Sequence, residues 1–126
     1  MYVDETSAKN KRYTNWIDIL LDTPVPDGRH RLIEHVLAPY LINMKNLDIG
    51  KAKQIVEEWV ERCETYGPAR GNIYAFVERA CHNTQKFKRK PKDLSWFKNN
   101  HKKVYYMISS IAEGYGLDIE LLSLQG

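Results

Sequence analysis

A chain of 126 residues can bury one hydrophobic core, and we predict a helical domain over residues 13–126 preceded by a flexible segment at residues 1–12. With 43% hydrophobic residues the composition is that of a globular protein, and the net charge of +3 does not by itself identify a nucleic-acid binder. No apolar run reaches about 18 residues, and no hydrophobic signal core opens the sequence, so we expect a cytoplasmic protein without membrane contact.

Helical periodicity predicts a first helix that Thr14 or Asn15 caps and that ends before Pro24. Its apolar face consists of Trp16, Ile17, Leu20 and Leu21. A second helix follows, for which Asp27 is the predicted N-cap and in which Pro39 is expected to introduce a kink. Its apolar positions are Leu32, Ile33, Val36, Leu37, Tyr40, Leu41 and Met44.

The third predicted helix starts at an Asp48 cap and stops at Tyr66-Gly67-Pro68. Its apolar stripe comprises Ala52, Ile55, Val56, Trp59, Val60 and Cys63, and the fourth helix directs Ile73, Phe76, Val77, Ala80 and Cys81 inward. Residues 86–93 are predicted to form a loop, after which Asp93 begins a short helix with Leu94, Trp96 and Phe97. A last helix carries Val104, Met107, Ile108, Ile111 and Ala112 and ends near Gly114 and Gly116. The pattern indicates an all-α, compact single-domain bundle of five to six helices.

Motifs for catalysis are missing from the sequence. There is no P-loop, no dinucleotide-binding glycine pattern and no carboxylate pair arranged for two metal ions. The two cysteines, Cys63 and Cys81, lie in apolar helical stripes, which favours buried thiols over a disulfide or a metal pair. We therefore expect that the chain is not an enzyme by itself.

Positive charge is concentrated where the second helix begins, in Asp27-Gly28-Arg29-His30-Arg31. The start of a helix already carries a partial positive charge, so arginines there suggest an anion from outside the chain. A guanidinium group can hold two phosphate oxygens at once. The alternative is a scaffold in which Asp27 caps the helix and pairs with an arginine, and the residues alone do not decide between the two.

A second basic region runs from Lys86 to Lys103, with eight Lys or Arg residues and one acid, Asp93. Aromatic residues interrupt it, namely Phe87, Trp96 and Phe97. Cations beside aromatic rings suit single-stranded nucleic acid or nucleotides. The alternatives are a solvated loop and, for Trp96, a place in the core. A weaker pattern gathers Tyr74, Arg79, His82 and Lys86 on one flank of the fourth helix.

The stretch WIDILLDTPVPDGRHRLIEHVLAPYLIN, residues 16–43, resembles the PriX family, the small noncatalytic subunits of archaeal primases. Similar stretches occur in the helix-bundle domain of archaeal plasmid primase-polymerases. The later segment NIYAFVERACHNTQKF, residues 72–87, is also similar, and the resemblance extends over roughly residues 14–113.

This resemblance implies a relative of the C-terminal domain of the primase large subunit. That domain holds the initiating nucleotide, or the 5′ triphosphate of the primer, while the small subunit joins nucleotides. Its Gly-Arg at a helix start matches Gly28-Arg29, and its Tyr and Arg on a following helix match Tyr74 and Arg79. It also carries a four-cysteine iron–sulfur cluster, which two cysteines cannot provide, so we expect no cofactor here.

The expected ligand is ATP or GTP, and the expected partners are the small catalytic subunit, the large subunit and single-stranded template DNA. The residues predicted to bind the nucleotide and its phosphates are Arg29, His30, Arg31, Tyr74, Arg79, Lys86, Trp96 and Lys98. Those predicted to bind DNA are Lys88, Arg89, Lys90 and Lys102. The alternatives are a general DNA-binding bundle and a protein-interaction module that docks through the apolar, acidic tail at residues 117–124.

Overall fold

The computed structural model describes residues 16–117. The predictions for residues 1–12, for a cap at Thr14 or Asn15 and for the tail from residue 118 lie outside the described residues. Within this range every regular element is a helix, which confirms the all-α fold class. The six α-helices of the described range are α1 (Trp16–Leu21), α2 (Arg29–Leu32), α3 (Ile49–Cys63), α4 (Ile73–Phe87), α5 (Leu94–Asn100) and α6 (Lys102–Gly114). Two compact units contain them, and we call these the central unit (residues 24–92) and the terminal unit (residues 16–23 and 93–117).

The helical segment that opens the central unit changes its geometry along its length. Helix α2 continues into two π-helical stretches, Ile33–Leu37 and Tyr40–Met44, on either side of Pro39. Proline has no N–H and interrupts the α-helical ladder, and π turns are a usual way to accommodate such an interruption. The wider turns rotate the later side chains away from a regular 3.6-residue repeat. As a result Ile42 is buried, while Met44, predicted to be apolar and inward, is 52% exposed.

Helices α3 and α4 complete the central unit. The Asp48 carboxylate accepts the Lys51 N–H at 2.8 Å, which confirms the predicted cap of α3. Asn72 caps α4 by accepting the Ala75 N–H at 3.1 Å, a cap that the sequence pattern did not reveal. The buried stripe of α3 consists of Ala52, Val56, Trp59, Val60 and Cys63, and that of α4 of Ile73, Val77, Ala80, Cys81 and Thr84. Helix α4 extends to Phe87, so Lys86 and Phe87 are helical and the predicted loop is shorter.

In the terminal unit, α6 packs against both α1 and α5. Trp16 and Phe97 are buried, with their rings edge to face at 6.2 Å between centroids. Asp93 accepts the Trp96 N–H at 2.8 Å, which confirms it as the cap of α5. Helix α6 ends at Gly114, within the region near Gly114 and Gly116 where the sequence predicted its end.

Both cysteines are free and buried, as predicted. Burial raises the pKa of the Cys81 thiol to about 11. Burial also raises the pKa of Cys63, although its sulfur accepts the Val25 N–H at 3.3 Å. In the described range no group of His, Cys, Asp and Glu residues is suited to hold a metal ion. No helix of that range has the length and apolar character needed to cross a membrane.

Candidate functional site

Helix α2 starts one residue later than predicted, and its N-cap is Gly28 rather than Asp27. Gly28 has φ 74°, a left-handed conformation that glycine adopts without the strain a side chain adds. The Asp27 carboxylate accepts the Gly28 N–H at 2.8 Å instead of capping the helix. Asp27 as the cap was therefore wrong, because the tight turn places its side chain before the first helical N–H groups.

An open cavity of about 500 Å³ lies beside this helix start, a size typical of small-molecule sites. Two chain segments form it, residues 26–31 and the turn after α3 at residues 66–70. Its charged lining residues are Asp27, Arg29, Arg31 and Arg70, three cations against one carboxylate. The N–H groups of residues 29–31 precede the first helical hydrogen bond, which Leu32 donates to Gly28 at 3.0 Å. The cavity thus presents positive charge and backbone donors together.

Arg29 is a buried member of the cavity wall, only 7% exposed. Its guanidinium group donates to the carbonyls of Val25 at 3.3 Å, Cys63 at 2.9 Å and Gly67 at 2.9 Å. Over the described range no carboxylate oxygen lies within salt-bridge distance of it. Arg29 therefore joins the two cavity segments through neutral acceptors, and its positive charge is not neutralised by an acid of that range.

Arg31 and Arg70 are exposed and lie one on each segment of the cavity. Neither side chain makes a hydrogen bond or ion pair to any residue of the described range. Arg70 was not identified from the sequence, because it lies after the helix stop at Tyr66-Gly67-Pro68 and belongs to no motif. Its nearness to residues 26–31 depends on tertiary structure that no local pattern encodes.

The aromatic residue of the cavity is Tyr66, which is 57% exposed. Tyr74, for which base stacking was predicted, lies at the start of α4 as expected, is 39% exposed and stands near three glutamates in and just beyond α3. Desolvation and the nearby Glu64, Glu61 and Glu57 raise the pKa of its phenol. These surroundings are less favourable for a polyanion than those of Tyr66.

His30 lines the cavity and also contacts α4. Its ring lies edge to face against Phe76, with centroids 4.7 Å apart, and the Arg79 guanidinium lies 5.9 Å from the same Phe76 ring. Phe76 therefore connects two of the predicted nucleotide-binding residues. Arg79 is exposed and belongs to the surface next to His30.

The last turn of α4 and the basic segment after α4, residues 88–92, share another aromatic ring, that of Phe87. The Lys86 ammonium and the Arg89 guanidinium each lie 5.4 Å from the centre of the Phe87 ring. Lys88 and Lys90 are exposed, and Arg89 is half-buried. Of the predicted binding residues in this region, Lys86 and Arg89 are thus brought together on one ring.

Trp96, Lys98 and Lys102 belong to the terminal unit. Trp96 is half-buried, its ring centre lying 5.0 Å from that of Phe97 and 5.1 Å from that of His101. Lys98 is exposed, with its ammonium 5.6 Å from the centre of the Tyr105 ring, and Lys102 is exposed at the start of α6. Trp96 therefore combines both alternatives raised by the sequence, being partly packed and partly accessible.

A four-cysteine iron–sulfur cluster does not fit the ligands that this chain offers. The sequence has two cysteines, and both side chains are buried in apolar helical stripes. The Cys63 sulfur is engaged by the Val25 N–H. Four thiolate ligands cannot come from this pair.

One comparison with known proteins gives a match. The model of a family described as PriX, Primase X, matches residues 13–112, well over half of the chain. The match includes both segments of the cavity and the whole basic segment after α4. No curated protein matches the chain.

Proposed function

Since the chain belongs to the Primase X family, a primase-related role follows, and we propose that it is a noncatalytic accessory subunit of a DNA primase. In this proposal the cavity at the start of α2 holds the 5′ triphosphate of the initiating nucleotide, ATP or GTP. The primase small subunit joins the nucleotides, and the large subunit completes the complex. The proposed mechanism is positioning, in which two reactants held together gain effective concentration.

The observation that carries this proposal is the unneutralised charge of the cavity. Arg29 is buried, and its hydrogen bonds go to three backbone carbonyls rather than to an acid. A buried cation without an opposite charge is costly, and a bound phosphate would supply that charge. Arg31 and Arg70 add exposed guanidinium groups on the two cavity segments.

The remaining predicted residues extend this arrangement. Tyr66 is our proposed surface for the base, and Tyr74 stays a prediction that rests on the family resemblance. Arg79 and Lys86 are proposed to add positive charge along α4, while Trp96 and Lys98 stay predictions that rest on the sequence. Template DNA is proposed to contact Lys88, Arg89 and Lys90, while Lys102 of the terminal unit stays a prediction that rests on the sequence.

Calorimetric titration of nucleotides into the full chain tests the proposal. Wild type should bind ATP or GTP more tightly than AMP, because the triphosphate engages more donors. Arg31→Ala and Arg70→Ala should each weaken triphosphate binding about tenfold, the usual scale for removing a hydrogen bond to a charged group. The matched control is Arg62→Ala, which removes the same charge from an exposed position outside the cavity.

Equal affinity for AMP and ATP would contradict a triphosphate site. Equal losses of triphosphate affinity in Arg62→Ala and Arg31→Ala would also contradict it, since the overall positive charge of the protein would then explain the binding. Arg29→Ala is unsuitable as the main probe, because this side chain also links backbone segments of the central unit.

A further inference from the structure

A second cavity, of about 340 Å³, lies where the π-helical stretch meets the loop after α4. Its lining residues are Glu34, His35, Pro39, Arg89, Lys90 and Lys92. Three cations face one carboxylate, so the cavity carries an excess of positive charge. It is separate from the cavity at the start of α2, with which it shares no lining residue.

Phe87 is 58% exposed and lies two residues before Arg89, which lines this second cavity. Arg89 links the two features, since its guanidinium lies 5.4 Å from the Phe87 ring centre and also lines the cavity. The Lys86 ammonium and the Arg89 guanidinium lie over this exposed phenyl ring, so an aromatic surface and positive charge occur together. This combination matches a nucleotide unit, which carries a flat base next to a phosphate. A base that stacks on the ring would take the place of one of these cations.

We propose that Phe87 and the second cavity form a binding site for single-stranded DNA, in which a base stacks on Phe87 and the adjoining phosphate enters the cavity. The identification of this strand as primase template rests on the proposed function. Single-stranded DNA is favoured over duplex because a base paired and stacked inside a duplex cannot expose its face to Phe87.

The loop that carries the cations is fixed to the helical segment beneath it. The Lys92 N–H donates to the His35 carbonyl at 2.8 Å. In a regular α-helix that carbonyl would accept from residue 39, which is proline and has no N–H. The Asn43 side-chain amide donates to the carbonyls of Thr84, at 3.2 Å, and Arg89. The backbone of the loop that carries the cations is therefore fixed before a ligand arrives, which lowers the entropy lost on binding.

Glu34 is the one carboxylate among the lining residues that the structure describes, and it pairs with Arg89 at 3.5 Å between oxygen and nitrogen. Both side chains are more than a third exposed, so the pair is weak. A phosphate in the cavity would replace Glu34 as the partner of Arg89 and would be repelled by its charge. Removing that charge should therefore improve DNA binding, an effect not expected of a residue with only a structural role.

Fluorescence anisotropy with a short labelled oligothymidine and the full chain tests this site. Phe87→Ala and Phe87→Leu should both weaken binding about tenfold, because leucine keeps apolar volume but has no aromatic face. Lys90→Ala should weaken binding and reduce the slope of log affinity against log salt by about 0.7 for each phosphate that the variant no longer neutralises. Glu34→Gln should tighten binding several-fold, and Lys51→Ala, an exposed lysine on α3, is the matched control for charge.

Unchanged binding in both Phe87 variants would overturn the proposal, as would equal affinity for single-stranded and duplex DNA. Titration of ATP into the same variants tests the proposed nucleotide site independently of the DNA site. The Phe87 and Lys90 variants should bind ATP as wild type does, while Arg31→Ala and Arg70→Ala should bind oligothymidine as wild type does. If the wild-type chain bound no ATP but still preferred single-stranded DNA with the expected variant effects, only the nucleotide site would be contradicted. If it bound ATP as expected but its DNA binding did not depend on Phe87, only the DNA site would be contradicted.

Discussion

Arg29 illustrates how one side chain can serve the fold and the ligand site together. Its three hydrogen bonds reach Val25, just before its own helix, and Cys63 and Gly67, at the end of α3 and in the turn beyond it. The Cys63 carbonyl lies at the negative end of the α3 dipole, which partly compensates the buried charge. The same guanidinium group fixes the two cavity segments relative to each other.

Replacing Arg29 should therefore destabilise the protein. Arg29→Ala leaves three carbonyls without their donor, and we expect the free energy of unfolding to fall by at least about 2 kcal/mol. Arg29→Lys should also be destabilising, because a single ammonium group cannot reproduce the planar set of donors. Urea unfolding of the full chain provides the measurement.

Arg31→Ala serves as the comparison for this stability effect, because its side chain is exposed and makes no hydrogen bond of this kind within residues 16–117. Its unfolding free energy should stay within about 0.5 kcal/mol of wild type. If Arg29→Lys proved as stable as wild type, charge rather than the carbonyl network would be the important property of Arg29.

The thiols of Cys63 and Cys81 should be unreactive in the folded protein. A thiol is protonated below its pKa, and burial raises the Cys81 pKa to about 11. At pH 8 only about one Cys81 in a thousand would be a thiolate, the reactive form. A colorimetric disulfide reagent should therefore label neither cysteine until denaturant is added, and both afterwards. Rapid labelling of the native chain would contradict the buried positions.

At the scale of secondary-structure elements, the helix starts show what a local pattern can and cannot predict. Asp48 and Asp93 were predicted as caps, and each accepts the N–H of the third residue that follows it. Asp27 had the same appearance in the sequence but is followed by Gly28, which adopts a left-handed conformation and becomes the cap. The difference arises from the left-handed conformation of Gly28. A glycine can adopt this conformation, but its presence in the sequence does not show that it does.

This difference predicts unequal costs for two similar substitutions. Asp48→Ala should lower the free energy of unfolding by about 1 kcal/mol, because the Lys51 N–H loses its capping acceptor. Asp27→Ala should cost clearly less, since its carboxylate accepts only the N–H of the adjacent exposed turn. Chemical denaturation of both variants gives the comparison, and equal losses would argue for a capping role of Asp27.

Periodicity predicted the apolar faces well wherever the helix stayed regular. On α3 and α4 most of the predicted apolar positions are buried, whereas Phe76 is half-buried against His30. Around Pro39 the repeat failed at Met44, because π turns change the number of residues per turn. The proline was visible in the sequence, but the way in which the helix accommodates it depends on packing in the central unit.

At the scale of the whole molecule, the sequence predicted the helices and one half of the candidate site. The Arg29–Arg31 cluster was identified from its own composition. Tyr66 and Arg70 were not, because they come from a turn more than thirty residues further along the chain that meets the cluster only after folding. The second cavity was missed for the same reason, since it combines Glu34 and His35 with residues 89–92.

If this chain holds the initiating nucleotide while the small subunit joins nucleotides, it should affect the initiation of primer synthesis and leave elongation unchanged. A primase assembled with this chain should need less of the initiating nucleotide, because the cavity supplies it at high effective concentration beside the catalytic subunit. Extension of a preformed primer does not require that nucleotide and should proceed at the same rate with or without the chain. Measuring both rates against nucleotide concentration, with the reconstituted complex and the complex lacking this chain, separates the two steps.

The double variant Arg31→Ala, Arg70→Ala provides the sharpest form of this test, because both side chains are exposed and their removal should leave the fold intact. A complex with this variant should show a raised KM for the initiating nucleotide and an unchanged elongation rate, whereas Arg62→Ala should match wild type in both. A variant complex that initiates normally would place the nucleotide elsewhere. Slowed elongation together with normal initiation would assign the cavity to the growing primer and not to its first nucleotide.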